Sequence, residues 1–102
     1  MSTDKNTAEK IASELELAGT IRIKNMTGDY LVYLDEVLIG QINENALFIK
    51  TSPYGDSLFD ENKKASPYEG AKPAYKINHE DMKDVQSLAK LLKETKDFYK
   101  KK

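Results

Sequence analysis

The sequence has no cysteine, no tryptophan, one histidine and three prolines. No apolar run approaches the ~18 residues that a membrane span needs. Without cysteine there is no disulfide, no thiolate nucleophile and no cysteine-based zinc site. The one histidine, His79, has Glu80 and Asp81 beside it but no second histidine with which to share a transition metal. It reads as a turn residue before the last helix. The phosphate-loop and dinucleotide glycine patterns are missing, and no spacing pairs a nucleophile with a base. These absences argue against an enzyme and call for no cofactor and no metal. Arginine is also scarce: of sixteen basic residues only Arg22 is one, against seventeen acids and a net charge of −1. A chain with no global positive field and almost none of the planar forks that read phosphate and guanine is a poor candidate for direct nucleic-acid binding. The N-terminus lacks a signal-like apolar stretch, so the expected location is cytoplasmic.

What remains is a chain of 102 residues, 39% hydrophobic and 32% charged. That is the composition of one globular domain, residues 1–102, with a single modest core and a well-solvated surface. Met1 to Asn6 is polar and reads as frayed and disordered. Ala8, Ile11, Ala12, Leu15 and Ala18 then recur at helical spacing, predicting a helix over 7–18 with Thr7 as cap and Gly19 as stop. After Gly19 the period changes to two. Thr20–Lys24, Tyr30–Leu34, Val37–Ile42 and Ala46–Thr51 predict four antiparallel strands in a meander. Asp35-Glu36 joins the middle pair as a tight hairpin, although glutamate suits such a turn poorly. Asn43-Glu44-Asn45 makes the next turn.

Ser52-Pro53 starts a short helix through Gly55–Glu61. Asn62–Ala65 reads as exposed and polar, and Ser66–Pro73 as a loop. Ala74–Ile77 predicts a fifth short strand. Val85, Leu88, Ala89, Leu92, Thr95 and Tyr99 carry a helical stripe, capped by Asp84 or Asn78 and ending on lysines that suit the negative end of the helix dipole. The fold class is α+β, with the C-terminal helix packed on one sheet.

Two stretches look familiar. Met26-Thr27-Gly28-Asp29-Tyr30, followed by Tyr33, a hairpin and Ala46-Leu47-Phe48-Ile49-Lys50, resembles the N-terminal domain of the TfoX/Sxy family, which typically reads Met-Phe-Gly-Glu-Tyr at the first landmark. Pro67-Tyr68-Glu69-Gly70-Ala71-Lys72-Pro73 is similar to its second landmark, a Pro-Tyr-x-Gly-x-Lys-Pro-like loop before a short strand. Thr27 stands where the family usually has phenylalanine, and Glu36 where it usually has glycine. The resemblance covers roughly residues 20–95 and does not include the second, helical domain of longer members. It implies one antiparallel sheet flanked by helices, similar to secretion-chaperone-like folds. It also implies a regulatory setting, because longer bacterial relatives are associated with control of natural competence alongside the cyclic-AMP receptor protein.

The expected function is therefore a non-enzymatic regulatory or protein-interaction module. Its partner is an unidentified protein, with a homodimer among the options. The partner-binding candidates are Met26, Gly28 and Tyr30 at the first landmark and Tyr68, Gly70, Lys72 and Pro73 at the second. Two readings of the Pro67–Pro73 loop stand side by side: a stiff loop presenting Tyr68 and Lys72, or a connector that tucks Tyr68 onto the sheet. Six tyrosines invite a stacking platform for single strands, but no basic residues interleave with them in sequence as in an RNA-binding sheet. Tyr30 and Tyr33, three apart in a strand, should point to opposite faces. From Asp81 onward seven lysines oppose four acids, a local +3 against −4 for the rest. A nucleic-acid accessory role through that basic helix is the alternative expectation.

Overall fold

The alternation along residues 20–51 folds as it reads. In the computed structural model, which describes residues 3–27, 29–78 and 81–100, it becomes strands β1 (Ile21–Met26), β2 (Asp29–Leu34), β3 (Val37–Asn43) and β4 (Ala46–Lys50). Each neighbouring pair is antiparallel. Helix α1 (Lys5–Leu15) precedes them, extended by a 3₁₀ turn over Glu16–Ala18. Then come α2 (Pro53–Leu58), β5 (Lys64–Ala65), β6 (Ala74–Ile77) and α3 (Val85–Lys100). The strands form one sheet in the order β1-β2-β3-β4-β6-β5, with β6 antiparallel to both its neighbours. The class is α+β as expected, with one strand more. Strand β5 lies where an exposed polar segment was expected. Two residues are too few to show a period, and Lys64–Ala65 is a strand only because its backbone pairs with Tyr75 and Ala74.

The two central hairpins turn through Asp35-Glu36 (φ 48° and 68°) and Glu44-Asn45 (φ 51° and 64°). Both central residues of each turn are left-handed, the backbone whose twist matches the flanking strands. Glu36 is held in this costly conformation while its carboxylate accepts from Arg22 Nε at 3.0 and 3.1 Å. Asp35 is held too: its carboxylate accepts from the Thr20 amide at 3.0 Å and from Lys96 at 3.1 Å. Those bonds keep its pKa below the usual carboxylate value, the Thr20 amide contributing most.

The first residues depart from expectation. Thr3 to Asn6 is not a frayed end: α1 begins at Lys5, and its cap is Asp4, whose carboxylate accepts from the Thr7 amide at 3.2 Å. Thr7 is thus the capped residue and not the cap. Thr3 is buried, and its hydroxyl reaches the Ile42 carbonyl, the Asp29 carboxylate and the Asn45 amide, each at 3.3 Å. These long-range bonds anchor the start of α1 to the far end of the sheet. At the other helices Ser52 caps α2 (Gly55 amide to Oγ, 3.1 Å) and Asp84 caps α3 (Ser87 amide to Oδ1, 3.2 Å). Asn78 instead caps the 3₁₀ turn at Asp81–Lys83.

Register sorts the sheet into two faces. Tyr30, Val32 and Leu34 of β2 share one with Ile42, Leu47, Ile49, Tyr75 and Ile77, and all belong to the core that Ala8 and Leu15 of α1 and Leu88, Leu91 and Leu92 of α3 complete. Each fully buried leucine or isoleucine there contributes about 1.5–3 kcal/mol of transfer free energy. Between Val32 and Tyr33 the register slips, leaving Ile39 as the extra residue of a bulge that drops into the core.

Candidate functional site

The other face of the sheet faces away from α1 and the core. It presents Leu31 and Tyr33 of β2, Leu38 and Gln41 of β3, and Phe48 and Lys50 of β4. Phe48 is only 6% exposed yet is not part of the core cluster, so something other than α1 and the core covers it. That cover is the loop Ser66–Pro73. Pro67, Tyr68, Ala71, Lys72 and Pro73 stand over Leu31, Leu38 and Phe48 and enclose with them a groove of about 280 Å³.

The loop is closed on itself. The Ala71 amide donates to the Tyr68 carbonyl at 3.1 Å, with Gly70 at φ 88° taking the left-handed position that this turn needs. Ser66 Oγ donates to the Ala71 carbonyl at 3.0 Å. From below, the buried Asn43 side-chain amide donates to the Pro67 carbonyl. Pro67 is accordingly buried, while Tyr68 remains 58% exposed. Of the two readings of the loop, presentation describes Tyr68 and packing describes Pro67.

Lys50 and Lys72 are the charged residues of the groove. Lys50 Nζ lies 3.9 Å from the centroid of the Tyr99 ring, whose hydroxyl in turn donates to the Thr51 carbonyl at 2.6 Å. Burial, and then the positive charge of Lys72, lower the pKa of Lys50. Among the described residues neither lysine has an ion-pair partner. On the other side of Pro67 and Tyr68 is a second, more open depression lined by Asp29, Asn43, Glu44 and Glu69. Here the two sequence landmarks meet, through Asp29 of the first and Tyr68 and Glu69 of the second. The three carboxylates do not form a metal cage; among the described residues no cluster of three or more ligands does.

The expected site residues are therefore distributed unevenly. Tyr68, Lys72 and Pro73 line the groove, and Gly70 forms the exposed turn at its lip. Met26 is 46% exposed at the end of β1 but lines neither depression. Tyr30 must be withdrawn: it points into the core, 8% exposed, because it shares the face of Val32 and Leu34. Gly28 and His79 lie outside the described residues. Sequence reasoning missed Leu31, Leu38, Phe48, Lys50 and Asn43. The available signal was Ala46-Leu47-Phe48-Ile49, an apolar run without alternation, which marks a strand covered on both faces.

The tyrosines are also less isolated from cations than the sequence suggested. Arg22 lies 4.2 Å from the Tyr33 centroid and Lys90 5.3 Å from that of Tyr54. Of the C-terminal lysines, Lys90 is thus engaged with an aromatic ring and Lys96 with Asp35. Among the described residues no helix is long and apolar enough to cross a membrane.

No protein-family model matches the chain. Over 72 residues it is 29% identical to an "Uncharacterized 12.7 kDa protein in trpE 5'region" of Spirochaeta aurantia, covering 71% of this chain and 63% of that protein. The chain thus spans less than two thirds of the relative's length, and the relative's name assigns no activity.

Proposed function

We propose that the chain is a non-enzymatic protein-interaction module, of the kind found at the N-terminus of TfoX/Sxy regulators, and that its working surface is the sheet face beside Ser66–Pro73. The observation that carries this reading is Tyr68, an exposed aromatic held on a loop that is tied at Ser66, Pro67 and Ala71. A large amphipathic ring carried on a loop that is already tied down costs little backbone entropy on binding, which is why such residues anchor interfaces. The apolar floor of Leu31, Leu38 and Phe48, beside two lysines that lack ion-pair partners among the described residues, supplies the mixed lining of a docking groove. The regulatory setting follows from the resemblance at residues 26–30 and 67–73. A nucleic-acid role through α3 has less support, because Lys90 and Lys96 are already engaged within the fold.

The test is affinity capture from the native host with the full chain, comparing wild type, Tyr68→Ala and Leu17→Ser. Leu17 is 62% exposed and lines neither depression, so its variant controls for loss of any apolar surface residue. The expected result is a protein recovered by wild type and Leu17→Ser but lost with Tyr68→Ala. Identical recoveries with all three would remove the groove from consideration.

A further inference from the structure

We infer that this surface is self-complementary and docks onto a second copy of the chain, with Tyr68 near the two-fold axis; the inference rests on the interaction-module reading. The carrying observation is a segregation of charge about one loop. Among the described residues Pro67 and Tyr68 line both depressions, and no charged residue does. The charged side chains of one are Lys50 and Lys72, and those of the other are Asp29, Glu44 and Glu69.

A two-fold interface brings a patch against its own rotated copy, so it must carry complementary halves about its centre. A lysine side and a carboxylate side flanking an exposed aromatic meet that requirement. Rotation about Tyr68 sets the lysine side of each copy against the carboxylate side of the other, twice over. In the separate chain Lys50 and Lys72 face each other's positive charge, and neither they nor Glu69 has an ion-pair partner among the described residues. Opposing carboxylates relieve that repulsion, and at a net charge of −1 two copies do not repel appreciably at a distance. The apolar part of the contact comes from Tyr68, 58% exposed, against Tyr68 of the second copy at the axis.

The competing route to a dimer is the free edge of β1. Its outward-facing Arg22 and Lys24 are the kind of charged side chains that guard an edge against pairing.

Sedimentation of the full chain from micromolar to millimolar concentration tests the proposal, with Lys72→Glu, Glu69→Lys and an equimolar mixture of the two. Both positions are exposed, and circular dichroism checks that each variant folds. Wild type is expected to self-associate, less so at high salt. Each single variant is expected to weaken association about tenfold or more, since both symmetry-related contacts turn repulsive. The mixture is expected to recover it. The glutamate introduced at position 72 of one chain then faces the lysine introduced at position 69 of the other, while Glu69 of the first and Lys72 of the second keep their original contact. A wild-type chain that stays monomeric throughout overturns the inference, and so does a dimer indifferent to both swaps, which would point to the β1 edge. The two readings fail separately. A monomer whose Tyr68→Ala variant still loses a captured protein keeps the module and loses the self-docking.

Discussion

The buried side-chain amide of Asn43, at the end of β3, donates to the carbonyl of Pro67, 24 residues further along the chain. This is the stitch that holds the Ser66–Pro73 loop on the sheet. Asn43→Ala leaves a buried carbonyl without a partner, a cost of about 1–3 kcal/mol. The loss should be local in its dynamics. Amide hydrogen exchange of Ala71, whose hydrogen bond closes the turn, is expected to accelerate well beyond any change in β2 and β3. Unchanged protection at Ala71 would mean that the turn holds itself without help from below.

Gly55 and Tyr75 are in similarly close contact. A Cβ placed on Gly55 would lie 2.3 Å from Tyr75 Cε2 and 2.5 Å from its hydroxyl oxygen. Helix propensity alone favours alanine at this position in α2 by about 1 kcal/mol. The clash reverses the sign. Tyr75 is fully buried and tethered by its hydroxyl, so it has no room to withdraw, and overpacking of this kind costs about 1–3 kcal/mol. Gly55→Ala is therefore expected to lower the urea midpoint, whereas Ser57→Ala, exposed in the same helix, should leave it nearly unchanged or raise it. A Gly55→Ala chain as stable as wild type would show that the ring can move.

The meander and both main helices were legible in the sequence because each is long enough to show its period. Ile21 and Ile23, Tyr30 to Leu34, and Leu88 with Leu92 declare their faces without any tertiary information. What sequence could not show depends on contacts between distant segments. Thr3 looks like part of a polar tail until Ile42 and Asn45 are brought beside it. Lys64–Ala65 has no strand character except through Tyr75 and Ala74. The candidate surface divides the same way. Tyr68, Lys72 and Pro73 are visible as a proline-stiffened loop, but the groove exists only because Phe48 and Leu38 lie beneath it; the unbroken apolar run Ala46-Leu47-Phe48-Ile49 hints at Phe48, whereas nothing in the pattern of β3 singles out Leu38. Tyr30 misled because a motif position says nothing about which face of the sheet it occupies; its parity with Val32 does.

Tyr75 makes stability depend on pH at both extremes. Its hydroxyl donates to Asp56 Oδ1 at 2.6 Å and accepts from the Ser52 amide at 3.2 Å. Burial first, then the bond to Asp56, push its pKa from 10.0 up to about 12. The folded value lies above the unfolded one, so this contribution is fully present below pH 10 and is lost as pH rises through about 12. Asp56 works in the opposite sense. The bond from Tyr75, then Lys64, lowers its pKa below 3.8, so its contribution is present above that value and is lost as pH falls through the lower folded one. Tyr75→Phe is expected to lower stability at neutral pH but to flatten both limbs of the profile. Chemical denaturation across the pH range checks this, and an alkaline limb as steep as that of wild type would assign it to other groups.

Glu36 sets two effects against each other. Its φ of 68° is a left-handed conformation that costs a residue with a side chain about 1–2 kcal/mol. Glycine adopts it freely, at the expense of extra entropy in the unfolded chain. Against this, Glu36→Gly removes the carboxylate that accepts from Arg22 at 3.0 Å. Both side chains of that pair are exposed, 45% and 66%, and an ion pair in that setting is screened by water and contributes little. The backbone effect should win. Glu36→Gly is expected to raise the melting temperature by a few degrees, and more so at high salt, where wild type has already lost most of its ion pair. Glu36→Gln separates the two effects, since it keeps the strained backbone while removing the charge, and it should gain nothing. If Glu36→Gly instead lowers the melting temperature at low salt, the Arg22 contact outweighs the turn strain.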